Sequence, residues 1–498
     1  MSYMLTTTFA LPALIVSFLL PINSSLALTR YVVADNPGAL APFTNWPKAS
    51  SNIQAAVDAS TSGDIVLVSN GVYRGQTVRI TNGIAVRSVN GPQVTTVDGQ
   101  NVMRGFYISH SNAVVEGFTI TKGHSEGEGG GGVYMVAGLV DRCIVNWNYV
   151  VGGTGFDGAP MGSNGGPGEG GGIYCRGGMI RNCLVHDNIA KGGTGGYGDD
   201  YQDWEGNWWY GQGGPGGFGE GGGICQPGWG NSVEIVNCTV VNNQAVGGDG
   251  GGGYYVGNPG TGYAGGIDGG GKTVGANNIV YFNVGDTQAE ANVSMLTSSY
   301  SCITPNPGGQ GNITNDPGFV SSTDWRLGAD SPCINTGTNR QWMTGAVALD
   351  GSPRIYGEGR VDIGAYEYQA SISIIPTNWL ARFGLPIDGS ADYAHSDGDR
   401  FNNWEEYISD YDPTNSSSFF SPLEILRDND KINFKFEETS PNRFFYIEET
   451  FWLTNPTNNA LPPPWHEIFR HQGVGEMNVE YDLPEDASGF YRGKVKLN

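Results

Sequence analysis

Between residues 129 and 283 a short run of apolar positions alternates with glycine and polar positions four times over. Each copy opens on a glycine cluster, passes through a strand-like triplet, and closes on a second triplet ending in asparagine. The copies read GGGVYM…RCIVNWN, GGGIYC…NCLVHDN, GGGIC…NCTVVNN and AGGID…NNIVYFN. Val133, Ile173, Ile224 and Ile267 hold equivalent places, 40, 51 and 43 residues apart. The unequal steps come from glycine-rich insertions. Without them each copy has roughly 20–25 residues, the size of one solenoid coil.

Aligned this way, Cys143, Cys183 and Cys238 share a position with Asn278, and Val145, Val185, Val240 and Val280 follow two residues later. Residues two apart on a strand point to one face, so this pair predicts the inward face of a stacked parallel sheet. Three residues further on stand Asn148, Asn188, Asn243 and Asn283. An asparagine at each turn can bond the coils above and below and satisfy backbone groups that a tight turn leaves bare. The earlier segment VVEGFTITKG fits the same frame, with Phe118 in the cysteine place and Ile120 in the valine place. Short strands without a helical period predict an all-β fold, a parallel β-solenoid. Ahead of it, residues 52–60 carry apolar positions at helical spacing after a serine pair, which predicts a short capping helix. Placed over the first coil, it would protect that coil from edge-to-edge pairing.

Composition refines this picture. The 498 residues exceed one ordinary core, but a solenoid relaxes that limit because each coil buries its apolar face only on its neighbours. Glycine, at 80 residues, is more than twice the usual share, yet there is no G-X-Y period, which excludes collagen. A net charge of −23 disfavours nucleic acid and anionic membrane as partners and favours cation binding. The apolar run Phe9 to Leu20 before Ser25-Leu26-Ala27 predicts a cleaved export signal over residues 1–27, although its n-region lacks Lys and Arg. At 12 residues the run is too short to span a bilayer, and no later segment reads as a span. The chain is therefore expected to be secreted or held at the cell surface, and to be monomeric. Cys143, Cys183 and Cys238 are expected to stack inward as buried thiols, although adjacent coils also permit disulfide geometry. Cys302 and Cys333, outside the stack, are expected to form a disulfide, which export permits.

The segments IQAAVD…GDIVLVSNGVY, GFTIT and the GGGI…N copies resemble the right-handed parallel β-helix proteins of the pectin-lyase-like group. The copies are also similar to the glycine-led repeats of polymorphic outer-membrane adhesins. NITNDPGFV, WRLGADSPCINTGTN, LDGSPR and VDIGAYEY, within residues 312–368, resemble a bacterial segment that closes such helices. The resemblance covers residues 29–368 and implies a right-handed parallel β-helix over 28–370. It leaves function open among lyases, hydrolases, adhesins and surface proteins.

After Tyr368 the composition shifts. TNWLARFGLP predicts a short amphipathic helix, and His395 to Tyr407 resembles an EF-hand or dockerin-type calcium loop within a linker of residues 371–420. Counting from His395, the resemblance implies Ca²⁺ ligands at Asp397, Asp399, the Phe401 carbonyl, Asn403 and Glu406. His395 stands where the motif has Asp and Arg400 where it has Gly, which should lower affinity. An acidic helix N-terminus is the other reading of these residues. From 421 to 498, alternating runs such as KINFKFEE and GFYRGKVKL predict a small antiparallel β domain, a candidate surface-attachment module.

Candidate chemistry concentrates in the insertions 152–169, 192–220 and 247–263, which should leave the coil at one corresponding turn and cluster on one side. The middle one carries Asp199, Asp200, Tyr201, Asp203, Trp204, Glu205, Trp208, Trp209 and Tyr210. Aromatic faces beside carboxylates suit sugars, so Tyr201, Asp203, Trp204, Trp208, Trp209 and Tyr210 are the candidate ligand-binding set. The competing expectation is that these rings fold back as a packed mini-core, with glycine only giving slack. For catalysis, His186 with Asp187 is the sharpest local pair, Asp203 a further candidate, and Asp141, Arg142, Arg176, Arg181 and His124 weaker ones. No C-x-x-C pair, polygalacturonase aspartate set or pectate-lyase signature occurs. The sequence thus predicts an exported β-helix protein that binds carbohydrate or a cell-envelope partner, with weak Ca²⁺ binding. A polysaccharide lyase or glycoside hydrolase is the alternative, and a structural or adhesive repeat protein a third.

Overall fold

A computed structural model describes residues 27–498 apart from 287–290, 356–358, 369–372, 374, 387–388, 400, 410, 419–421, 429–430, 440–442, 452–465, 473–474, 483–488 and 498. The expected export signal and Arg400 therefore lie outside the described residues. The chain divides into two compact units after Tyr368.

The first unit is built of coils whose short strands stack in parallel on the strands one coil away. Val145 stands in register with Ile120 on one side and Val185 on the other, and Val240, Val280 and Ile303 continue the file. Each of these side chains is fully buried, as are Phe118, Cys143, Cys183 and Cys238 in the adjoining file. Burying a valine or isoleucine contributes about 1.5–3 kcal/mol, so a file shared by successive coils stabilises every junction between them. Two further files run along the other faces of the coil. One joins Phe106, Val133, Ile173, Ile224 and Ile267, and the other joins Val66, Val86, Val115, Val140, Ile180 and Ile235. This pairing is the arrangement of a parallel β-helix.

The asparagine ladder forms as the spacing predicts. The side-chain amide of Asn148 donates to Asn188 at 2.9 Å, Asn188 to Asn243 at 2.9 Å, and Asn243 to Asn283 at 2.9 Å. Each amide also donates to a carbonyl one coil back, those of Ile120, Val145 and Val185. The residue before each asparagine (Trp147, Asp187, Asn242, Phe282) has φ near +55°, a left-handed turn that leaves backbone groups for the ladder to satisfy. A second left-handed turn falls just before each cysteine position, at Arg142, Asn182, Asn237 and Asn277. Three of these four are asparagine, the residue that tolerates this conformation best after glycine.

The capping helix is present as Ile53–Asp58. Asn52, rather than the serines, caps it by accepting from the Ala55 amide at 2.8 Å, and Ile53, Ala56 and Val57 join the core of the first coils.

The insertions do leave one corresponding turn, and their glycines do more than give slack. Outgoing legs bond to outgoing legs: Gly152, Gly155 and Gly158 donate to Lys191, Thr194 and Tyr197, and Gly192, Gly195 and Gly198 to Val246, Asp249 and Gly252. Return legs bond likewise, Gly162, Gly165 and Gly168 to Gln212, Pro215 and Phe218. A zigzag ties the two layers, running from Gly260 through Gly248, Gly217, Gly193 and Gly166 to Gly153. Donors recur every third residue, the period of a polyproline-II-type strand. In the central legs the pattern is Gly-Gly-x with both glycines buried and x exposed. A Cβ on Gly217 would lie 1.9 Å from the Gly166 carbonyl oxygen, and one on Gly260 1.8 Å from that of Gly217. Glycine is required here for the reason it is required at a crowded collagen axis, although the chain is no collagen.

Residues 312–355 and 359–368 lie along the outer face of the coil, where Phe319, Trp325, Leu349, Ala365 and Tyr366 pack on Ile144, Leu184 and Val241. The LDGSPR and VDIGAYEY stretches meet in one buried network. Fully buried Arg354 pairs with Glu367 at 3.3 Å and donates to the carbonyl of Ala365, and the Asp362 amide donates to Glu367. Burial pushes Glu367 up to about 8 against the pull of Arg354. The disulfide expected of Cys302 and Cys333 is corrected: both are buried free thiols in contact, and Cys302 donates to the Asn315 carbonyl at 3.2 Å. That bond satisfies the thiol without a cross-link.

The second unit contains the helices Thr377–Arg382 and Asn403–Ser409 and six strands. Pro422–Asp428, Lys431–Thr439 and Gly475–Asp482 form one antiparallel sheet; Arg443–Phe451, His466–Gln472 and Gly489–Leu497 form another.

Candidate functional site

The glycine bundle ends in three tips. The middle tip is a hairpin in which Tyr201 pairs with Trp209 and Gln202 with Trp208. Asp203 organises its turn, accepting from the amides of Glu205 and Asn207 at 3.0 and 2.8 Å, from the Asn207 side chain at 3.1 Å and from the Trp209 indole at 3.3 Å. These bonds, the Asn207 amide first, hold its carboxyl below the usual range. Asp200 anchors the hairpin base by accepting from the Gly211 amide at 2.7 Å.

The candidate rings face outward. Trp204 is 89% exposed and Trp208 62%, and Tyr201, Trp209 and Tyr210 are exposed as well. The mini-core expected as the alternative therefore does not form from them. The neighbouring tips add Phe156, Met161, Tyr254, Tyr255 and Val256, all exposed. Tyr254 stacks on Tyr210 at 4.4 Å and meets Tyr255 edge-on at 4.9 Å. Sequence reasoning missed these rings; the signal was Tyr254-Tyr255 at the tip of the third insertion, the place the hairpin holds in the second. Rigid, flat, half-wet rings on a hydrogen-bonded base can stack on a ligand without first being ordered.

His186 lies elsewhere, on the outer face of the coil under residues 312–368. Its ring contacts Asp187 at 2.6 Å and Asn146 at 3.3 Å and tilts against Trp325. It borders a cleft of about 590 Å³ also lined by Asp324, Arg326, Asp350 and Tyr366. Asp324 is committed to Arg326, which holds its carboxyl below the usual range. Asp187 also accepts from Asn242. The weaker candidates are occupied in structural contacts: Asp141 with Arg181 at 2.8 Å, Arg142 with Glu116, Arg176 over the Trp229 ring, and His124 stacked on Tyr149.

In the second unit, one oxygen each of Asp397, Asp399 and Glu406 lies within 4.8 Å of the others. Glu406 is only 1% exposed, and among the described residues neither of its carboxylate oxygens has a hydrogen-bond partner; Asp397 Oδ2, Asp399 Oδ2 and Asn403 Oδ1 lack one there too. The Asp399 amide donates to Asp397 at 3.1 Å and the Phe401 amide to Asp399 at 2.6 Å, so the loop holds its carboxylates inward. The Asn403 side chain fixes the loop to the Ala391 carbonyl at 2.7 Å. Burial, with repulsion from Asp397 and Asp399, pushes Glu406 up to about 8. Oxygens without a partner among the described residues, in and around one acidic cluster, are of the chemistry that could hold a hard cation such as the expected Ca²⁺.

No protein-family model and no curated protein matches the chain. Among solved structures it is similar to the pectate lyase Pel9A, at 14% identity and a TM-score of 0.26, over 69% of this chain and 98% of that one. At so low an overlap the likeness decides nothing about function. What defines the class is the strand pairing itself: a mostly-β protein of stacked parallel coils. Among the described residues no helix is long and apolar enough to cross a membrane.

Proposed function

We propose that this chain is an exported right-handed parallel β-helix protein whose glycine bundle presents an aromatic surface to carbohydrate, with Ca²⁺ held by the loop of Asp397, Asp399, Phe401, Asn403 and Glu406. The observation that carries the reading is the set of exposed rings at the bundle tips, Trp204, Trp208 and Trp209 foremost. Ring faces stack on the C–H faces of sugars, and Asp199 and Glu205 stand beside them as acceptors. The Ca²⁺ would rigidify the loop, its oxygens replacing water around the ion. A glycan array read with the full chain and with a Trp204→Ala/Trp208→Ala/Trp209→Ala variant tests the surface. Binding without turnover, lost in the variant at unchanged melting temperature, is the expected result; equal binding by both would sink the reading.

The cleft beside His186 supports a second reading, a polysaccharide lyase or glycoside hydrolase. In that case a polysaccharide panel would show release of unsaturated or reducing sugars that His186→Ala abolishes. Asp203→Ala would act on the same release only through the hairpin turn.

A further inference from the structure

Each of the first two glycine excursions re-enters the coil on a glutamate. Glu169 and Glu220 occupy equivalent places and stand in register on adjacent parallel strands. Beside them runs a second file, Tyr174, Cys225 and Asp268, also in register. The two files bring one oxygen each of Glu169 and Glu220 and the Cys225 sulfur within 4.8 Å of one another. Neither the Glu169 nor the Glu220 side chain has a hydrogen-bond or ion-pair partner among the described residues, although the carbonyl of each accepts from a glycine amide. Acidic clusters alone are common on such a surface, but Cys225 sets this one apart. Its side chain is 1% exposed, its thiol has no hydrogen-bond partner among the described residues, and it is aimed at the two carboxylates.

We propose that Glu169, Glu220 and Cys225, with Asp268 adjoining, form a site for a divalent cation of the zinc class at the root of the glycine bundle. A thiolate selects borderline and soft ions over Ca²⁺ and Mg²⁺, and carboxylates complete a zinc set with one position left for water. Bond lengths around tetrahedral zinc place ligand atoms roughly 3.5 Å apart, so the side chains close by about an ångström on binding. The thiol proton passes to solvent as the ion binds. Burial, with repulsion from Asp268 and Glu169, pushes Glu220 up to about 7, a strain that a cation relieves. The ion would tie the returning legs of the bundle to the strands of the coil.

The test uses the full chain saturated with Ca²⁺, so that the C-terminal loop does not compete. Co²⁺ is titrated in, followed by thiolate-to-cobalt charge-transfer absorption, and then displaced with Zn²⁺. One equivalent is expected, with the band absent in Cys225→Ser and affinity at least about 10-fold weaker in Glu220→Gln, judged by the cost of losing groups that support a metal site. Circular dichroism confirms that the variants fold; should Cys225→Ser fail to fold, Glu220→Gln alone decides. No band in the wild-type chain, an unchanged band in Cys225→Ser, or unchanged affinity in Glu220→Gln overturns the proposal.

Discussion

The coils and the glycine bundle stack at the same spacing by opposite means. In the coils, Val145, Val185, Val240 and Val280 fill the interior, and the asparagine ladder satisfies the turns, so side chains hold successive layers together. In the bundle, legs approach so closely that a single methyl group would strike a backbone carbonyl, and main-chain hydrogen bonds hold the layers together. Hydrophobic burial tolerates substitution by residues of similar volume; where two legs touch, a packed backbone tolerates nothing larger than hydrogen. The difference explains where each could carry function. The coil interior is closed, whereas the bundle directs every third residue and all three tips outward.

The largest expected effect follows from this. Gly217→Ala places a methyl against the carbonyl of Gly166 and should cost about 3 kcal/mol, at the top of the range for overpacking, read as a shift of the urea midpoint. Gly153→Ala, in the same bundle, meets nothing nearer than 3.8 Å and should be close to silent. Equal effects would erase the distinction between the two glycines. In the coils, Asn188→Ala removes the acceptor of the Asn148 backbone amide, one of the two bonds of the Asn148 side-chain amide and the donor to the Val145 carbonyl, and should cost about 2 kcal/mol. A loss under about 0.5 kcal/mol would mean that the turns do not need the ladder.

Much of this was legible beforehand. The register of Cys143, Cys183 and Cys238 and the asparagine positions read directly from the repeat, because each coil meets only its neighbours and a local pattern suffices. The three-residue glycine period was also present in GGTGGYG and GGPGGFG, but it is confined to the insertions and invisible in whole-chain composition. The rings of the hairpin were legible as types and not as exposed surfaces, since exposure depends on what the legs beneath them do. The network of Arg354, Asp362 and Glu367 was beyond sequence reasoning, because Asp362 and Glu367 lie 8 and 13 residues beyond Arg354 and meet it only through tertiary contacts.

That network gives a smaller, pH-dependent effect, intermediate between the two regions because buried charge rather than packing decides it. Burial raises Glu367 to about 8 from its ordinary 4.5. Between those values the folded chain keeps a proton that the unfolded chain has lost, so stability falls as pH rises through that window. Glu367→Gln should flatten the slope of urea midpoint against pH between 5 and 8; an unchanged slope would place the titration elsewhere.

Smallest in stability are the tips. Trp204→Ala should change the stability by no more than about 0.5 kcal/mol in urea unfolding, as expected for an exposed side chain, while weakening any glycan contact it makes. A larger loss would show that the rings support the bundle.

Amide hydrogen exchange resolved to single residues tests most directly whether backbone bonds hold the layers of the bundle together. The amides of Gly193, Gly196, Gly214, Gly217, Gly248 and Gly251 should be protected to the same degree as those of Val185 and Val240 in the coil. Exchange at the rate of an open loop, with the coil still protected, would contradict the account.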